Sequence, residues 1–149
     1  MKIEDEIKQR SFKSNYQKAQ INIIFTAAWL NQEVSTLLRP YKLSWQQFNI
    51  LRILRGMHPE PASVKLLTER MLDKMSNASL LVEKLKQKDM VDRTTCPEDR
   101  RRVEVCITDH GLEVLEKASA AIETEMTAHM SRISDQEAEL LSNLLDQLR

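Results

Sequence analysis

Between about Asp5 and Leu38 the apolar residues Tyr16, Ala19, Ile23, Ala27, Leu30, Val34 and Leu37 recur at three- and four-residue steps. That spacing predicts one long helix with a single apolar face. Arg39-Pro40 ends it, because proline cannot continue a helix. Ser44 and Gln47 stand at capping-box spacing ahead of a second helix whose buried stripe is Phe48, Leu51 and Leu54. Gly56, read as a C-cap, and the stretch HPEPA stop that helix. Ser63 caps a short helix, SVKLLTERM, and a further helix over 74 to 88 carries Ala78, Leu81, Val82 and Leu85 inward. Two short helices joined by a tight turn form a helix-turn-helix pattern.

The period then changes. Residues 90 to 95 and 102 to 108 have strand character, with Val103, Val105 and Ile107 alternating against Arg102, Glu104 and Cys106. The charged turn CPEDRR between them predicts a β-hairpin with a basic tip, a wing. After Thr108 helical spacing returns at Leu112, Leu115, Ile122 and Met126, to about Met130. Ser134 and Glu137 form another capping box before Leu140, Leu141, Leu144, Leu145 and Leu148. The fold class is mainly α with a small β wing, one domain over 1–149. Its winged helix-turn-helix lobe spans 44–108, and a single small lobe cannot bury the remaining stripes. Helices in 1–40 and 109–149 are therefore expected to pair with a second copy, giving a homodimer.

Composition narrows the function. With two Gly and four Pro in 149 residues the chain lacks the punctuation of an all-β fold. The charged N-terminus carries no signal-peptide core and no window suits a membrane span, so a cytoplasmic location is expected. Formal charge is zero overall but unevenly placed. Residues 63–102 hold ten Lys/Arg against seven Asp/Glu, and 103–149 hold three against ten. A basic middle beside an acidic tail lets one face meet phosphate.

On the 74–88 helix the side opposite the inward stripe holds Ser76, Leu80, Glu83 and Gln87, flanked by Asn77, Lys84, Ser79 and Lys86. Small polar residues near its start suit base edges and phosphates, and lysines suit the groove walls. An ordinary solvated helix would carry similar charge. Leu80 favours the DNA reading, because an outward leucine is poorly placed in water but can touch a thymine methyl. The candidate DNA contacts are Lys74, Met75, Ser76, Asn77, Ser79, Leu80, Lys84 and Lys86, with Asp99, Arg100, Arg101 and Arg102 on the wing. Consecutive arginines at a hairpin tip can enter a minor groove, and a neighbouring aspartate can orient one by a bidentate pair. A solubilising loop is the alternative.

The run LTERMLDKMSNASLLVEKLKQKDMVDR, followed by EDRRRVEVCITDHG, resembles the MarR (multiple antibiotic resistance regulator) family of transcription regulators. The resemblance is specific from about Leu43 to Leu115. It implies that the 74–88 helix enters the major groove and that Arg101, held by Asp99, enters the minor groove. Two positions depart from the family pattern: Leu80, often Arg, and Asp89, often Gly. The resemblance also implies a pseudo-palindromic duplex operator, read by two lobes about 34 Å apart, and repression by blocking polymerase. It further implies a small aromatic effector bound between dimer helices and DNA lobe. All seven aromatics lie between residues 12 and 48, which disfavours single-stranded nucleic acid. Phe25, Trp29, Trp45 and Phe48 are the candidate effector contacts, with simple core packing as the alternative.

Catalysis finds no support. His58, His110 and His129 are scattered, and no phosphate loop, nucleophile elbow or closely spaced metal-ligand pair occurs, so neither cofactor nor metal is expected. Cys96, near the wing arginines, has surroundings that lower a thiol pKa, but the family's thiol sensors place their cysteine near the N-terminus. Cys96 and Cys106 are out of register for a disulfide. A winged-helix protein-interaction adaptor that does not bind DNA is the competing reading.

Overall fold

The computed structural model describes every residue except Cys96. Two compact units divide at Thr36 and Leu37. In the first, the long helix expected from Asp5 is interrupted: α1 covers Ile3–Glu6 and α2 covers Asn15–Leu38. Lys8 adopts a left-handed backbone (φ 54°), which an α-helix cannot propagate. The Ser14 hydroxyl then accepts the Gln17 amide (3.2 Å), and the Lys13 amide donates to Gln17 Oε1 (2.8 Å). That Ser-x-x-Gln start signal is the same as at Ser44. Glu4 and Lys18 pair at 2.5 Å. Along α2, Tyr16 and Ile24 are exposed, whereas Phe25, Trp29 and Val34 are half-buried.

In the second unit a 3-10 turn, Arg39–Tyr41, closes at left-handed Lys42. Helix α3 (Trp45–Met57) starts with the complete Ser44/Gln47 capping box. It is buried on more than a stripe: Phe48, Leu51 and Leu54 are joined by Ile50 and Ile53, with Gln47 and Asn49 also enclosed. Gly56 is not its C-cap. The helix runs through Gly56 to Met57 and stops at His58, ahead of Pro59.

Helices α4 (Val64–Arg70) and α5 (Ala78–Gln87) follow, with Ser63 capping α4 through the Leu66 amide. Strands β2 (Val91–Thr95) and β3 (Val103–Ile107) form the expected hairpin. A short strand unforeseen in the sequence, β1 (Ala62–Ser63), pairs with the other side of β3, giving the antiparallel order β1-β3-β2. Two residues of strand are too few to leave a period. Val105 and Ile107 point into the core, while Asp92 and Cys106 are register partners.

Helix α6 (Asp109–Met130) begins at Thr108, whose hydroxyl accepts the Gly111 amide, and α7 (Asp135–Asp146) begins with the Ser134/Glu137 capping box. Leu115 and Ala118 are fully buried in α6, which packs against α3. Leu140, Leu141, Leu144 and Leu148 stay exposed on and after α7.

Candidate nucleic-acid interface

The turn between α4 and α5 is built from side chains that hold its backbone from behind. Asn49 Oδ1, on buried α3, accepts the Leu72 amide at 2.9 Å. Asp73 Oδ1 accepts the Met75 amide at 3.0 Å, and Gln46 Nε2 donates to Asp73 Oδ2 at 3.4 Å. The Ser76 hydroxyl, the Met75 amide and Gln46 all donate to this carboxylate and hold it below the usual aspartate range. Asn77 Oδ1 accepts the Leu80 amide at 3.1 Å, which makes Asn77 the N-cap.

This arrangement shortens the expected helix of 74 to 88. Lys74, Met75 and Ser76 sit on the turn and Asn77 at the cap, because aspartate and asparagine side chains compete for the amides a helix would use. On α5, Ala78, Val82 and Leu85 are buried and Leu81, expected with them, is half-buried; on the outward side Ser79, Leu80, Lys84 and Lys86 are exposed and Glu83 is half-buried. Lys88, just past the end of α5, donates to the Lys42 carbonyl and to Gln47 Oε1 (3.1 Å). Partial burial, then the charges of Lys84 and Lys42, push its ammonium pKa down.

At the wing tip Asp99 Oδ1 accepts the backbone amide of Arg101 (3.0 Å), and its carbonyl accepts that of Arg102 (2.9 Å). Among the described residues no ion pair joins Asp99 to an arginine, so the expected bidentate pair is replaced by a local turn. Arg100, Arg101 and Arg102 are all exposed. An open cleft of about 490 Å³ brings Ser79 of α5 beside Arg101 and Arg102 of the wing. Arg93 of β2 also lines it and pairs with Glu83 of α5 at 3.1 Å, a link between wing and helix absent from the expectations. The sequence signal for it was Glu83 standing alone among lysines on an outward face.

The four aromatic candidates differ in burial. Phe25, Trp29 and Trp45 are half-buried, but Phe48 is 6% exposed in the α3 core with the Arg52 guanidinium 5.9 Å from its ring centroid. The Cys106 thiol pKa is pushed up by burial and then by Glu104, Asp92 and Glu60, the reverse of an activated thiolate. Cys96 lies outside the described residues. Among the described residues no His, Cys, Asp and Glu cluster could hold a metal ion, and no helix is long and apolar enough to cross a membrane.

Residues 43–103, from the approach to α3 to the first residue of β3, match the MarR family model. Its winged helix-turn-helix segment is of the MarR type. The chain is similar to the HTH-type transcriptional regulator MhqR of Bacillus subtilis strain 168, with 23% identity over 116 residues covering 78% of this chain and 79% of that one. A MarR transcription factor from Planctomyces limnophilus is 28% identical, with TM-score 0.70 over 92% of this chain and 99% of its own. The fold is also that of the organohalide-sensing regulator RdhR in its 2,4-dichlorophenol-bound form, at TM-score 0.83 and 17% identity over 95% of this chain and 85% of that one. With this match and this relative, the protein is a DNA-binding transcription regulator.

Proposed function

We propose that the protein is a cytoplasmic, non-catalytic repressor that binds a pseudo-palindromic duplex operator as a homodimer. The observation that carries this reading is the cleft that sets Ser79, at the start of α5, beside Arg101 and Arg102 of the wing. A helix end and a basic hairpin sharing one surface suit a major groove and the minor groove next to it. The DNA-contacting set is Lys74, Met75, Ser76, Asn77, Ser79, Leu80, Lys84 and Lys86 with Asp99 to Arg102, inside a lobe of 44–108. Asp99 shapes the wing turn there. Segments 1–40 and 109–149 supply the dimer helices, in keeping with the exposed leucines of α7.

Repression is relieved by a small aromatic effector. Phe25, Trp29, Trp45 and Phe48 are the candidate contacts; the first three are half-buried and Phe48 is buried in the α3 core. The phenol-bound relative favours this chemistry.

The test is a salt titration against duplexes selected from a random pool. Affinity should fall steeply with salt through counterion release. Arg101→Ala should weaken binding on most sequences and reduce the slope by roughly one unit. An unchanged slope and affinity would remove the wing from the interface, and salt-insensitive binding would favour a protein adaptor.

A further inference from the structure

The surface between α4 and α5 carries large apolar side chains where solvent should select against them: Leu72 is 73% exposed, Met75 93% and Leu80 51%. They do not ride on a loose loop. Each has its backbone amide fixed by a side-chain oxygen, Leu72 by Asn49, Met75 by Asp73 and Leu80 by Asn77. A chain that holds the backbone this firmly while leaving apolar groups in water is prepared for a surface that will cover them.

The same surface indicates what that cover is. Lys74, Lys84 and Lys86 are exposed around the patch, and Ser79 opens the cleft shared with Arg101 and Arg102. An apolar protein groove would have to strand these cations, whereas a duplex presents phosphates to them. In the major groove the one apolar feature on a base edge is the 5-methyl group of thymine. We propose that Met75 and Leu80 read thymine methyl groups in each half-site, so that the operator is specified there by T·A pairs through apolar contact. This rests on the duplex-DNA reading above. It assigns base choice at these positions to burial of a methyl, and leaves Ser79 and the arginines to set register and affinity.

The experiment replaces thymines in the selected operator one at a time with deoxyuridine, which differs only by lacking the methyl. At each contacted thymine the full-length protein should lose about fourfold in affinity, the worth of one buried methyl-sized group. Leu80→Ala should bind more weakly and no longer respond to deoxyuridine at one position per half-site, and Met75→Ala at another. Both side chains are exposed, so circular dichroism should show both variants folded. Leu80→Arg should move the selected base toward guanine, whose major-groove edge suits a guanidinium. Full affinity for operators carrying deoxyuridine at every half-site position, with steep salt dependence retained, overturns the methyl contact and leaves DNA binding standing. Absence of salt-dependent duplex binding overturns both.

Discussion

The carbonyl oxygen of Met90 lies 2.1 Å from where a β-carbon on Gly111 would sit. The same carbonyl accepts the Thr108 amide (3.1 Å), and the Thr108 hydroxyl bonds the Asp89 carbonyl (2.6 Å) while accepting the Gly111 amide (3.0 Å). Thr-x-x-Gly therefore seats the first turn of α6 directly on the end of the α5 lobe. Asp89 holds a left-handed backbone (φ 57°), which explains why glycine is the usual residue there in the family pattern.

Gly111→Ala should lower unfolding stability by about 1–3 kcal/mol, because the obstructing atom is backbone and cannot rotate away. Gly56 is the contrasting case: it sits inside α3 with nothing within 4 Å of a β-carbon. Gly56→Ala should raise stability by about 0.5–1 kcal/mol, since alanine is the better helix former. Chemical denaturation of both variants checks the signs, and equal effects would refute this account.

Asn77 caps α5 and belongs to the proposed DNA-contacting set. Removing its cap with Asn77→Ala should cost about 1 kcal/mol. Asn77→Asp keeps an acceptor for the Leu80 amide and should melt near the parent, yet bind DNA more weakly because it sets a negative charge beside phosphate. Parallel melting and DNA-affinity measurements separate the two effects.

The Asp73 carboxyl, held below its ordinary 3.8 by donors from Ser76, Met75 and Gln46, contributes stability that is fully present above that value. That contribution is lost as pH falls through the lower folded value, when the carboxylate takes up a proton. Asp73→Asn should therefore flatten the dependence of melting temperature on pH below about pH 4. An unaltered acid limb would show that the turn does not depend on this charge.

Deleting residues 134–149 removes α7 with exposed Leu140, Leu141, Leu144 and Leu148. If these leucines pair with a second copy, light scattering should find monomer or aggregate. A truncated chain that remains a well-folded dimer would move the interface elsewhere.

An aromatic acid such as salicylate should quench Trp29 and Trp45 fluorescence and weaken operator binding, with DNA weakening ligand affinity by the same factor. Fluorescence and DNA affinity unchanged across millimolar ranges would leave these aromatics as packing residues.

The sequence by itself determined the order of the elements from α3 onward apart from β1, the caps at Ser44, Ser63 and Ser134, the burial of Ala78, Val82, Leu85, Val105 and Ile107, and the resemblance to the MarR family. These are written in local periodicity and in spacings of three residues, which survive without knowledge of distant neighbours. The break before α2 was also local, in Ser14 and Gln17, and the apolar period itself begins only beyond it, at Tyr16.

Only the tertiary structure decided which groups the side chains would satisfy. Whether Asp99 meets a guanidinium or an amide, whether Lys88 turns toward solvent or toward Gln47, and whether Gly56 caps or continues a helix depend on short, directional contacts. The Lys88 contact joins it to Gln47, 41 residues away in the chain. The hold of Asn49 on Leu72, across 23 residues, is of that kind, and so is the Met90 carbonyl that makes glycine obligatory at position 111.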